Sequence, residues 1–238
     1  MSVEKLGNSI IAVVSEEHTF GTDALLLSYF ANYRKSDIAC DLGTGCGIIP
    51  LLWCRKEFSE ITTVEIQEKA CEQLRKAVKM NGIEDKFKIY NADLKNIKEI
   101  LPRAKFNLVT MNPPYFEKNS GKTSISQAHL IARHEVECNL DDIMKAADYL
   151  LKFSGRFCMC HRVERLSEVL CKMTAYGIEP KRLRTVSKRA DTAPWLILVE
   201  GRKGAKKGLT VEPGLYIYNE NNQYTDEMKE RILYREDF

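Results

Sequence analysis

DLGTGCG, residues 41–47, links an apolar run, IACDL (38–42), to a segment of helical pattern. Glycines at such a strand-to-helix turn let the backbone bend tightly and approach a ligand. The first N–H groups of the helix then point at whatever anionic group lies beyond. The spacing narrows the choice, because a dinucleotide fingerprint, G-x-G-x-x-G, needs glycine at position 48, where this chain has Ile48. The third glycine comes one residue early, giving Asp41-x-Gly43-Thr44-Gly45-x-Gly47. A turn this tight has no pyrophosphate to cradle and suits a smaller group carrying a carboxylate and an ammonium.

Strands and helices alternate outward from this turn. ITTVEI (61–66), FKIYNAD (87–93), FNLVTMN (106–112) and GRFCMCH (155–161) read as further strands of a mostly parallel sheet with helices on both faces. EKACEQLRKAVKMNG (68–82) places Cys71, Leu74, Ala77 and Val78 on one helical face and closes at Asn81-Gly82. Asn139 caps a helix with the stripe Leu140, Ile143, Met144, Ala147, Leu150 and Leu151, and another helix runs to about residue 176. The rhythm then changes. PKRLRTVS (180–187) and APWLILVEG (193–201) have only Lys188–Thr192 between them, too short for a parallel crossover, so the last strand runs backwards. The expected fold is α/β and Rossmann-like: a mostly parallel seven-stranded sheet with an antiparallel last strand. Residues 1–238 read as one domain, with an N-terminal extension (1–36, helical near 22–32) and a tail (208–238, helical from Thr225) packed on it.

Composition sets outer bounds. With 44% hydrophobic and 29% charged residues among 238, the chain has the balance of a soluble globular protein. No apolar run approaches the roughly 20 residues of a membrane span, and the N-terminus lacks a signal-peptide pattern, so a cytoplasmic location is expected. The eight cysteines include no CxxC pair, which gives structural zinc no support. Cys40, Cys46, Cys54, Cys71 and Cys171 fall on patterns that read as buried, and Cys158 and Cys160 share a strand face that His161 does not. Charge is uneven: residues 181–207 carry nine Lys/Arg against Asp191 and Glu200, a net of +7 in a chain of formal charge +3. That suits a polyanionic partner, and it equally suits a solvated lysine-rich surface.

Polar residues then gather at the strand ends, where open α/β sheets bind ligands. Glu65 ends the second strand, placed to accept both hydroxyls of a ribose, and Asp93 ends the third, placed to accept from an adenine amine. After the fourth strand comes Asn112-Pro113-Pro114-Tyr115-Phe116. Proline stops the strand. The Asn112 side-chain oxygen and the Pro113 carbonyl converge as acceptors, matching an amine with two hydrogens. Holding both hydrogens stabilises charge developing on that nitrogen by roughly 3–4 kcal/mol per contact. Tyr115 offers a ring on which a planar substrate stacks, worth about 1–3 kcal/mol per base. With a sulfonium methyl from S-adenosylmethionine (SAM) as electrophile, the chemistry requires no metal.

DLGTGCG, Glu65, Asn91-Ala-Asp93 and NPPY, in this order, resemble the N6-adenine and amide-nitrogen methyltransferases. FGTDALLL (20–27), AHLIARHE (128–135) and LTVEPGLYIYNENNQYTDEM (209–228) resemble the bacterial tRNA(Val) adenine-N6 methyltransferase family. The resemblance implies the SAM-dependent methyltransferase fold, SAM as cofactor, and methylation of an adenine beside the anticodon of one tRNA. It also implies that Thr22 and Asp23 lie near the cofactor and that Arg133 borders the substrate. Topology adds Lys188 and Arg189, in the hairpin loop on the same sheet edge as NPPY, as RNA-backbone contacts. NPPY alone leaves open a glutamine amide of a translation release factor, or an rRNA or DNA adenine. A non-catalytic RNA-binding module is disfavoured, having no need of the glycine turn, both acids and NPPY together.

Overall fold

The computed structural model describes residues 1–16, 18–114 and 138–233. The seven expected strands form the body of one sheet: β3 (Ala39–Leu42), β4 (Ile61–Glu65), β5 (Phe87–Asn91), β6 (Phe106–Met111), β7 (Leu151–Arg162), β8 (Ile178–Ser187) and β9 (Leu196–Lys203). Their spatial order is β5-β4-β3-β6-β7-β9-β8. All neighbours are parallel except β9, which runs antiparallel to both β7 and β8.

Two features were not expected from the sequence. The N-terminal extension contains a hairpin, β1 (Ser2–Gly7) with β2 (Ile10–Val14). The tail adds two two-residue strands, β10 (Thr210–Val211) and β11 (Leu215–Tyr216), both parallel to β8. Strands this short carry too few residues for a period-2 pattern. The β8–β9 connection is also longer than read, because Ala193 and Pro194 lie outside the strand and β9 begins only at Leu196. Proline brings no N–H to a ladder, which keeps it off β9.

The helices pack on both faces: α1 (Thr22–Ala31), α2 (Ile48–Trp53) and α3 (Glu68–Met80) on one, α4 (Ile97–Ile100), α5 (Leu140–Leu150) and α6 (Leu166–Ala175) on the other. Local chemistry sets their ends. The α3 helix carries Glu68 in its first turn and Lys79 in its last, complementing its dipole. Its cap Asn81 also clamps the hairpin, accepting the Ile11 N–H at 3.0 Å and donating to the Ile11 carbonyl at 2.8 Å. Asn139 caps α5 as expected, in a reciprocal capping box with Asp142. Cys171 is a correction: it is exposed on α6, whose buried residues Val169 and Met173 sit on the opposite side, two positions away in each direction.

Strand alternation sorts the core. Phe157 and Met159 of β7 face α5 and α6, whereas Cys158 and Cys160 face the α1–α3 side. A buried ionic chain crosses this second side. Arg156 bonds Asp37 at 2.8 Å and the Ala31 carbonyl at 2.6 Å, and lies 3.6 Å from Glu200, which in turn takes Arg182 at 2.7 Å. Glu212 and Glu227 from the tail take Arg182 and Arg184, and Asp148 takes Lys203. Much of the local +7 is therefore offset by acids from elsewhere in the chain, which a one-dimensional charge count does not register.

Candidate active site

A cavity of about 450 Å³ opens at the carboxyl ends of β3, β4, β5 and β6. The glycine turn, the β4 and β5 ends and the start of the NPP segment form its walls. Of the sequence-predicted residues it brings together Asp23, Gly43, Gly45, Glu65, Asp93, Asn112, Pro113 and Pro114. Gly43 and Gly45 both have left-handed backbone, φ 58° and 56°, which disfavours other residues. A Cβ on Gly45 would meet nothing within 4 Å, consistent with a backbone laid open to the cavity.

Glu65 is almost fully buried. Its two oxygens accept the Gly45 N–H at 2.8 Å and the Gln67 N–H at 2.9 Å. Each oxygen keeps a second lone pair, so the carboxylate is locked in place and still able to accept. The Gly45 N–H is thus spent on Glu65, and the Gly47 N–H on the Thr44 carbonyl at 2.9 Å. This turn offers a ligand fewer donors than the glycine pattern suggested. Asp93 lines the cavity while one of its oxygens accepts the Lys95 N–H at 2.9 Å.

Thr22, Asp41, Thr44 and Gly47, expected at a cofactor, do not line this cavity. Thr22 is the exposed first residue of α1, next to Asp23. Asp41 lies fully buried beneath the turn, its oxygens accepting the Thr44 hydroxyl at 2.7 Å and the Thr110 hydroxyl at 2.5 Å. Burial pushes its carboxyl up to about 7, against the two hydroxyl bonds, with the Glu65 charge adding to the rise. Gly47 packs: a Cβ there would sit 2.3 Å from the Leu74 side chain. Asp41, Thr44 and Gly47 hold the turn itself. Tyr115, Phe116 and Arg133 lie outside the described residues. Lys188 is exposed at the end of β8, on the same sheet edge, with Arg189 paired to Asp191 at 3.0 Å.

Sequence reasoning missed the apolar walls of the cavity, among them Val64, Met111, Leu94 and Ile66, the last 47% exposed. In sequence they are indistinguishable from core residues. It also missed Cys160, whose thiol reaches the Asn112 oxygen. A smaller cavity of about 190 Å³ adjoins the first across Pro113 and Pro114, with His161, Arg165 and Lys172 in its lining. His161 is held neutral, its value lowered to about 4, first by burial and then by Arg165.

The strand order, the reversed β9 and a glycine turn beside strand-end acids define a Rossmann-like protein of the methyltransferase class. Residues 11–138 match the model of the methyltransferase small domain, and the chain belongs to that family. Two similar curated proteins are both named tRNA1(Val) (adenine(37)-N6)-methyltransferase. One, from Histophilus somni, is 29% identical, covering 88% of this chain and 86% of its own. The other, from Dyadobacter fermentans, is 25% identical over 89% and 87%. Among solved structures, a predicted O-methyltransferase from Agrobacterium tumefaciens superimposes with a TM-score of 0.70 at 19% identity, over 89% of this chain and 95% of that one. A SAM-dependent O-methyltransferase from Thermotoga maritima gives 0.55 at 13%, over 80% and 68%. Both likenesses concern the fold.

Proposed function

We propose that this protein transfers a methyl group from SAM to the N6 amine of an adenine in tRNA, working in the cytoplasm. One observation carries the reading: the cavity built from the glycine turn, Glu65 and Asp93 is walled on one side by Asn112-Pro113-Pro114. A cofactor and an amine acceptor thereby meet in one space. The relatives' names support adenine in tRNA as the acceptor.

The residues present fit SAM. Glu65 would accept from the ribose hydroxyls, Asp93 from the adenine amine, and Asp23, also in the lining, would face the amino-acid end. Exposed Ile66 and the largely buried Leu94 would provide an apolar surface for the adenine ring, and 450 Å³ falls within the range of small-molecule sites. When bound, SAM supplies an activated methyl group on a sulfonium. The chain's own contribution is orientation. Asn112 Oδ1 and the Pro113 carbonyl hold the two hydrogens of the acceptor amine, turning its lone pair toward the methyl and stabilising positive charge as it develops. Tyr115 and Phe116 would stack on the acceptor base, Arg133 would border it, and Lys188 with Arg189 would meet the RNA backbone.

The test uses purified protein, isotopically labelled SAM and separate pools of unmodified tRNA, rRNA and release factor, with the label located by mass spectrometry. N6-methyladenosine in tRNA is the expected product. Label on a glutamine would preserve the amine-holding role of Asn112 and overturn the RNA substrate.

A further inference from the structure

Strands β6 and β7 pair in parallel with Met111 opposite Met159, so the next rung sets Asn112 against Cys160. Cys160 is fully buried (0% exposed), and its Sγ lies 3.0 Å from Asn112 Oδ1. The amide oxygen is the stronger acceptor of the two, which makes the thiol the donor. Most inward-facing positions of β7 and β9 are occupied by apolar or weakly polar side chains. A Val or Leu at 160 would satisfy packing there but would offer the amide nothing.

A carboxamide has two nearly isosteric orientations. In one the oxygen faces a given neighbour, in the other the NH₂ does, and shape alone barely separates them. For the acceptor role proposed above only one serves, because a flipped Asn112 would aim N–H at the substrate's own N–H. We infer that Cys160 is a positioning residue for methyl transfer, its S–H donating to Asn112 Oδ1 and so favouring the amide orientation that turns this oxygen toward the substrate amine. This rests on the reading of Asn112 as amine acceptor. Cys160 itself touches neither substrate nor cofactor in this scheme. It belongs to the sheet, and its influence reaches the reaction through its hydrogen bond to Asn112.

The experiment compares Cys160→Ala, Cys160→Val, Cys160→Ser and Asn112→Ala in single-turnover methylation of tRNA, with SAM affinity by calorimetry and thermal melts alongside. Loss of the thiol hydrogen lowers the turnover of both Cys160→Ala and Cys160→Val by about 10-fold, the scale of one hydrogen bond. SAM affinity stays within about 2-fold, since the cofactor does not meet Cys160. Serine keeps a donor at the same position and recovers most of the rate. A packing role gives the opposite ranking, with Val near wild type and Ser impaired, and that ranking would overturn the inference. So would full activity in Cys160→Ala. Asn112→Ala separates the two levels: if it is slow while Cys160→Ala is fast, only the positioning role fails. If Asn112→Ala turns over normally, the acceptor role fails and the positioning role with it. Should Cys160→Ala not fold, the Ser and Val pair still decides.

Discussion

The Thr110 hydroxyl on β6 donates to the Asp41 carboxylate on β3 at 2.5 Å, across the rung that sets the two residues opposite one another. With Thr44 on its other oxygen, Asp41 ties the glycine turn to the centre of the sheet. The cost is a carboxyl group removed from water, and burial raises it from 3.8 to about 7.

That shift has a definite sign. A carboxyl whose folded value lies above its unfolded one contributes stability that is complete below the unfolded value, near pH 4, and lost as pH rises through about 7. Asp41→Asn keeps one acceptor and one donor for the two threonines and removes the titration. Relative to wild type, the variant should gain about 2–3 kcal/mol between pH 5 and pH 8. His161 works the other way: lowered to about 4, it contributes stability above the unfolded value near 6.5 that is lost as pH falls toward 4. Urea titrations of wild type, Asp41→Asn and His161→Gln across this range resolve the two slopes. Parallel curves for wild type and Asp41→Asn would contradict the assignment.

Arg156 joins Asp37 and Glu200, which are 4% and 1% exposed. Replacing it with Met fills the volume but removes the guanidinium from buried Asp37, while Glu200 keeps Arg182 at 2.7 Å and Arg202 at 3.3 Å. The expected loss is about 3–5 kcal/mol, read as a lower denaturation midpoint with an unchanged slope. A loss under about 1 kcal/mol would mean that the Arg34 N–H and the Asn107 amide already satisfy Asp37.

The parts of this fold legible in sequence are those written in local pattern. The β8–β9 pair betrayed its direction through a connection too short to cross over. Asn139 announced α5 because a cap needs only its own next turn. The paired rungs were not legible: nothing near Asn112 points to Cys160, 48 positions away, and nothing near Arg156 points to Asp37. Register is set by how whole strands pack, and a one-residue slip would change both pairings. The site divides the same way. Its acids and glycines were found from strand-end position, but the split between those lining the cavity and those holding the turn (Asp41, Thr44, Gly47) depends on burial that only the packed sheet reveals.

Glu65 carries two jobs in one group, fixing the turn through Gly45 and presenting lone pairs to the cavity. Glu65→Gln places an NH₂ where one of two backbone N–H groups now donates. SAM affinity should fall about 10–100-fold by calorimetry, with a lower melting temperature even without ligand. Weaker binding with an unchanged melt would confine Glu65 to the ligand.

On the RNA side, Lys188 and Arg189 differ in what they are free to give. Arg189 is engaged with Asp191 at 3.0 Å, whereas Lys188 is exposed. Charge reversal at Lys188 should therefore weaken tRNA binding more than reversal at Arg189. It should also reduce the slope of log K against log salt by about one phosphate contact or more. Filter binding at several salt concentrations measures both, and an unchanged affinity for Lys188→Glu would remove the hairpin from the interface.

Asn112 offers the sharpest separation of binding from chemistry. It sits where the cofactor cavity meets Pro113, and its amide oxygen is turned by Cys160. If it acts mainly as a hydrogen-bond acceptor for an amine that gains positive charge during transfer, its interaction strengthens between ground and transition state. Asn112→Ala should then lower kcat by about 10²–10³ while SAM affinity changes by less than about 3-fold. Asn112→Asp is the more searching variant. A carboxylate accepts hydrogen bonds at least as well as an amide, but it places a full negative charge beside a sulfonium, favouring the bound cofactor before any methyl has moved. Tighter SAM binding together with a lower kcat is the expected pair, since stabilising the ground state leaves more barrier to climb. A rise in kcat for Asn112→Asp would mean that charge, rather than the geometry of two acceptors, limits the reaction.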